Sequence, residues 1–148
     1  MFSLKLSNIN VLSFVILIFC LISIGNDISF INKIFWGSLI VVSYFLLQFK
    51  FKFKSLLIGG YGLLAIYIQL RLNQFVFSEE FFLNCLAVLL IAKYSEILTK
   101  NNQLSFCLIS MVVAVASLIK GQDLLSSATS LTIIILSIIN MYLIQQKE

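Results

Sequence analysis

Six stretches of almost unbroken apolar residues run along this chain, and nearly every charge falls between them. They extend from about Ile9 to Ile24 and over Ile34–Gln48, Ser55–Leu70, Phe81–Leu98, Leu104–Ile119 and Leu124–Ile144. Strand-like alternation is confined to Phe49-Lys50-Phe51-Lys52-Phe53-Lys54, which is too short for a membrane-barrel element and lies between two long runs. It reads as an interfacial hinge, with anionic lipid or a protein partner as its functional alternative. The pattern predicts an all-α, polytopic transmembrane helix bundle of about six spans, one domain covering residues 1–148.

Several runs hold only about 16 residues, roughly 24 Å of helix against a hydrocarbon core near 30 Å, so they must borrow length from their flanks. Phe35, Trp36, Phe49, Phe81 and Phe82 stand where aromatic rings extend a span into the headgroup layer. A rival assignment merges or drops weaker runs and gives four or five spans. The first run, with Lys5 before it and Ser23 and Gly25 near its end, also has the outline of a signal peptide. Its length and the prompt arrival of the second run favour a retained span, and Phe19 before Cys20 spoils a lipoprotein-type site.

Composition fixes the solvent. The chain has 148 residues, 61% hydrophobic and 11% charged, with a mean hydropathy of +1.08. Soluble domains carry about 25% charged residues, so too little polar surface is available here to clothe a water-facing globule. The lipid bilayer is the expected partner. The absence of His removes the commonest general base and metal ligand. Cys20, Cys85 and Cys107 lie in apolar runs without CxxC spacing and read as small hydrophobes. No triad, phosphate loop, metal or cofactor site can be assembled, so the chain is expected not to be an enzyme.

The net charge of +4 is scattered singly rather than lined along one face, which argues against nucleic acid. It does set a topology. With the amino terminus inside, Lys5, Lys50, Lys52, Lys54, Lys93, Lys100 and Lys147 fall on the inner side, and Lys33, Arg71 and Lys120 outside. Both termini are therefore expected in the cytoplasm.

Among polar marks inside the runs, Lys93 and Glu96 stand three apart near the inner end of the fourth. One reading makes them an intramembrane relay; the other has Lys93 snorkel to the surface and pair with Glu96 to hold the helix in register. Gly59-Gly60-Tyr61-Gly62 is similar to a potassium-channel filter, but no pore helix precedes it, and close helix approach explains its glycines better. Gln69, Arg71, Asn84, Asn140, Ser126, Ser127, Thr129, Ser130 and Thr132 are expected to hydrogen-bond between helices.

The order of these marks has a further implication. Tyr67-Ile68-Gln69 closes the third run, Ser78-Glu79-Glu80 precedes the fourth, Ala92-Lys93-Tyr94-Ser95-Glu96-Ile97-Leu98 ends it, and Lys120-Gly121-Gln122-Asp123-Leu124 joins the fifth to the sixth. This resembles the amino-terminal membrane domain of the bacterial TgpA-type protein-glutamine gamma-glutamyltransferases, the transglutaminase-like inner-membrane proteins. Gln69, Lys93 with Glu96, and Gln122 match that family's marks, whereas the first two runs match only in character.

The resemblance implies a membrane anchor whose catalytic Cys, His and Asp would stand on a separate periplasmic domain, absent from these 148 residues. An even number of spans also returns the chain to the cytoplasm, as though the membrane domain stopped before its last crossing. The expected function is thus a non-catalytic membrane domain that anchors or assembles with a periplasmic transglutaminase-like enzyme, or forms a homo-oligomer. The alternative is a small transporter or channel subunit working through Lys93 and Glu96.

Overall fold

Each apolar run becomes a helix, and each helix reaches past its run into the flanking residues. In the computed structural model, which describes residues 2–25, 28–48, 54–72, 76–97, 99–120 and 124–146, the helices are α1 (Phe2–Gly25), α2 (Phe30–Gln48), α3 (Lys54–Leu72), α4 (Glu79–Tyr94), α5 (Lys100–Lys120) and α6 (Leu124–Gln145). The expected borrowing of length is visible in α5, which takes Lys100 to Gln103 ahead of Leu104. Helix α4 departs from this. It starts two residues before Phe81 but stops at Tyr94 rather than Leu98, because Ser95 to Ile97 fold into a turn.

At 1.5 Å per residue, α1 is about 36 Å long and α6 about 33 Å, whereas the 16 residues of α4 give about 24 Å. Three helices are long and apolar enough to cross a membrane as they stand, over Phe30–Leu47, Lys100–Lys120 and Leu124–Gln145. Val11–Gly25 and Leu56–Leu72 are shorter apolar helical stretches.

The helices run up and down, and α4 is the one with the most neighbours. It packs against α1, α2, α3 and α5, while α1, α5 and α6 pack on one another. Its buried residues accordingly go most of the way round, from Phe81, Leu83 and Asn84 through Ala87, Val88, Leu90 and Ile91 to Tyr94. Helices α2 and α3 lie outside it and bury one narrow stripe each: Asn32, Trp36, Leu39 and Ser43 on α2, and Ile58, Gly62, Ala65 and Gln69 on α3. Both stripes step by four, three and four residues, the spacing of a seam between two helices.

The remaining faces are apolar and uncovered. Leu56 and Leu63 on α3 and Ile119 on α5 are 76%, 71% and 77% exposed. A monomer in water rarely shows such faces on every side, so acyl chains are the surroundings that suit them.

The glycines of the third run divide in a way the sequence did not reveal. A side chain at Gly62 would meet the Ala92 methyl at 3.9 Å, but one at Gly59 or Gly60 would meet nothing within 4 Å. Close helix approach therefore accounts for Gly62 alone. The Phe49 to Phe53 hinge and Lys147 lie outside the described residues.

Candidate functional site

The turn between α4 and α5 gathers a closely bonded set of polar residues. Its shape begins with Ser95, whose hydroxyl donates to the Ala92 carbonyl at 2.6 Å and whose amide bonds Ile91 and Ala92. The amides of Glu96 and Ile97 then reach back only three residues, to Lys93 and Tyr94. This tightening satisfies carbonyls that the end of α4 would otherwise leave open, and it takes Glu96 off the helix. Ile97, fully buried, pins the turn against the core. Thr99 opens α5: its hydroxyl accepts the Asn102 amide at 3.4 Å, as an N-cap does.

This local geometry closes a circuit. The Lys93 ammonium pairs with Glu96 Oε2 at 2.8 Å and donates to Asn102 Oδ1 at 3.0 Å, while Asn102 Nδ2 donates to the Glu96 carbonyl at 3.0 Å. The side chains of Lys93 and Glu96 are 24% and 15% exposed, so the pair sits at the rim of the bundle. In the last turn of α4, the lysine also faces the partial negative charge of the helix end. Asn102 makes the arrangement a clamp between two helices; the sequence offered it only as part of an Asn-Asn pair in a polar break.

The other expected site residues do not join this cluster. Gln69 is fully buried on α3, and since Gly62 faces Ala92 in an antiparallel pair, Gln69 stands two turns away toward the end where α4 begins. Gln122 lies outside the described residues.

Two further polar arrangements emerged that sequence reasoning had only partly found. Between α1, α5 and α6, Ser110 pairs with Ser137 at 2.7 Å and Ser117 with Ser130 at 2.6 Å. Ser23 donates to Ser117 at 2.7 Å, and Asn140 donates to Ser13 at 3.0 Å and to the Cys107 sulfur at 3.4 Å. Ser117 also donates to the Ala114 carbonyl, so its single proton and both lone pairs are used. The visible signal was the seven-residue step from Ser110 to Ser117 on α5 and from Ser130 to Ser137 on α6, which antiparallel packing brings into two facing layers. Ser126 belongs to the expected interhelical set, bonding the Ser117 carbonyl, whereas Thr129 and Thr132 bond within α6 and Ser127 is exposed.

At the opposite end from Lys93, Glu80 of α4 caps α2. Its Oε1 accepts the Ser29 amide at 3.2 Å and Asn32 Nδ2 at 3.1 Å. Deeper in the same seam, Ser43 donates to the Ile91 carbonyl at 3.3 Å. Both side-chain contacts join residues 48 apart in sequence, and the same offset sets Asn84 opposite Trp36 on the facing stripes. Among the described residues, neither polar atom of the Asn84 amide, nor the Trp36 indole N–H, has a hydrogen-bond partner.

No family model, curated protein or solved structure matches the chain.

Proposed function

We propose that this chain is a non-catalytic membrane domain of about six spans, an anchor that assembles with a separate transglutaminase-like enzyme on the outer side of a bacterial inner membrane. The observation that carries the choice of a structural role is the closed circuit of Lys93, Glu96 and Asn102. A relay needs an ionisable group that faces a path and can exchange its proton along it. Here the ammonium and the carboxylate meet each other and Asn102 within a single turn, which suits a clamp better than a transport pathway.

Six spans fit the lengths. Helix α4, the shortest, is flanked by four neighbours and need not meet lipid along its whole length, while α1 and α6 exceed the hydrocarbon thickness. Both termini then lie in the cytoplasm, on the side of Lys93 and Lys100, with Lys33, Arg71 and Lys120 outside. The TgpA-like order of Gln69, Lys93, Glu96 and Gln122 supplies the class of enzyme partner.

A carboxyl-terminal fusion tests the topology: green fluorescent protein should fluoresce there and alkaline phosphatase should stay inactive, and active phosphatase would overturn the six-span count. Lys93→Met separates the two roles. The anchor predicts a loss of thermal stability of about 1–3 kcal/mol, from a carboxylate and an amide left without their donor, with no ion flux in proteoliposomes of either protein. A flux in the wild type that Lys93→Met abolishes would instead establish the transporter. For the partnership, a transglutaminase-like protein encoded beside this one should co-purify in mild detergent at fixed stoichiometry; its recovery free of the chain would end the anchor proposal.

A further inference from the structure

Where α1 and α2 part at the Glu80 end, a cleft of about 310 Å³ opens between Ile18, Leu21, Ile22 and Gly25 on one wall and Lys33 and Trp36 on the other. Its chemistry is graded. Trp36 lies against Gly25, where a side chain would meet the ring at 3.8 Å, so the indole sits directly on the backbone of α1. From there Ile22, Leu21 and Ile18 continue the apolar wall for about 10 Å toward the middle of the bundle. Lys33 stands one turn nearer the end of α2, its side chain exposed.

Among the described residues Lys33 has no ion-pair partner, and Glu80 bonds Ser29 and Asn32. A cation above an apolar wall, at the level where a capped helix begins, matches an anionic headgroup followed by its chain.

We propose that this cleft seats one phospholipid with an anionic headgroup, its phosphate on Lys33 and an acyl chain against Ile18, Ile22 and Trp36. A zwitterionic lipid fits the wall but neutralises its own phosphate, so Lys33 selects the anionic class. The proposal rests on the helices being membrane spans.

Trp36 is the single tryptophan of the chain, lines the cleft and is only 4% exposed. A brominated acyl chain therefore quenches its fluorescence efficiently only from within the cleft. Reconstituted wild-type protein should be quenched by brominated phosphatidylglycerol in preference to brominated phosphatidylcholine, with about a fivefold difference in apparent affinity for one lysine. Lys33→Gln should erase that preference and Lys33→Arg should keep it. Ile22→Phe, which narrows the cleft without touching its charge, should reduce quenching by both lipids.

Equal quenching by the two lipids in the wild type would overturn the proposal and leave the membrane spans standing, as would a preference that survives Lys33→Gln. Quenching unchanged by Ile22→Phe would remove the acyl seat. A protein that stays folded and monomeric in buffer without detergent would refute the spans themselves.

Discussion

The two flanks of α4 solve the same problem differently. On one side α5 and α6 place hydroxyls at seven-residue steps, so each layer finds a partner in the facing helix, and α1 adds Ser13 and Ser23. On the other, α2 and α3 meet α4 along single stripes, and the α2/α4 seam buries the Asn84 amide and the Trp36 indole N–H with no hydrogen-bond partner among the described residues. Even the well-bonded side is imperfect, since Asn140 Oδ1 lacks a partner among the described residues. In lipid, helices gain little from burying apolar surface against one another, so close packing and paired polar groups decide how firmly they hold. The α1/α5/α6 side is therefore the rigid half of the bundle, and the α2 seam the half that opens first.

The largest effect should come from the rigid half. Ser117→Leu forces a bulky side chain between three helices and strips Ser23 and Ser130 of the hydroxyl they share, while the Ser117 carbonyl that Ser126 bonds is kept. Overpacking costs about 1–3 kcal/mol, and each lost interhelical hydrogen bond about 0.6 kcal/mol, for a total of about 3 kcal/mol. The free thiols provide the measurement. Cys20 and Cys107 are buried, so a thiol-reactive fluorogenic dye reports the unfolding midpoint in detergent, and Ser117→Leu should lower it sharply. Ser127→Leu, at an exposed position of α6, is the control. If both variants melt alike, the serine layers do not hold this half together.

A smaller effect of opposite sign is expected in the seam. Asn84→Leu keeps the number and branching of the side-chain heavy atoms and removes two buried polar atoms that lack partners among the described residues. Leaving such a group unsatisfied costs about 1–3 kcal/mol, so the substitution should raise the midpoint by about 2 kcal/mol in stability. Asn140→Leu should do the reverse, because that amide donates to Ser13 and Cys107. Should Asn84→Leu also destabilise, the amide has a partner in the folded protein and the contrast between the flanks disappears.

How far the sequence reached depended on the kind of signal. Helix positions followed from apolar runs, since backbone groups in lipid leave little other choice, and the Lys93–Glu96 pair followed from a three-residue spacing. The stop at Tyr94 did not, because Ile97 and Leu98 carry the apolar run onward in sequence while Ser95 bends the chain by a bond to Ala92. Asn102 and Glu80 were equally hidden: each acts on another helix, and nothing local to Asn101-Asn102 or Glu79-Glu80 tells which member turns inward. Ser110, Ser117 and Ser137 were legible in their seven-residue steps, but only once α5 and α6 were known to be antiparallel neighbours. Trp36 was placed as an interfacial ring, and its environment, buried against Gly25 and Asn84's layer, depended on α1 and α4 together.

The glycines of α3 give the finest comparison. Gly62 lies in the seam with α4, facing Ala92, whereas Gly59 and Gly60 are exposed with open space around them. Glycine in a helix costs up to about 1 kcal/mol relative to alanine, so Gly60→Ala should raise the midpoint slightly, by an amount no greater than that. Gly62→Leu tests the seam itself. Its methylenes must displace Ala92 or push α3 away from α4, and a loss of about 1–3 kcal/mol is expected. The two substitutions should thus move the midpoint in opposite directions although the residues are two apart on one helix. A loss on Gly60→Ala would mean that the outer face of α3 is packed against protein in the membrane, and that the loosely held flank of the bundle has a neighbour there.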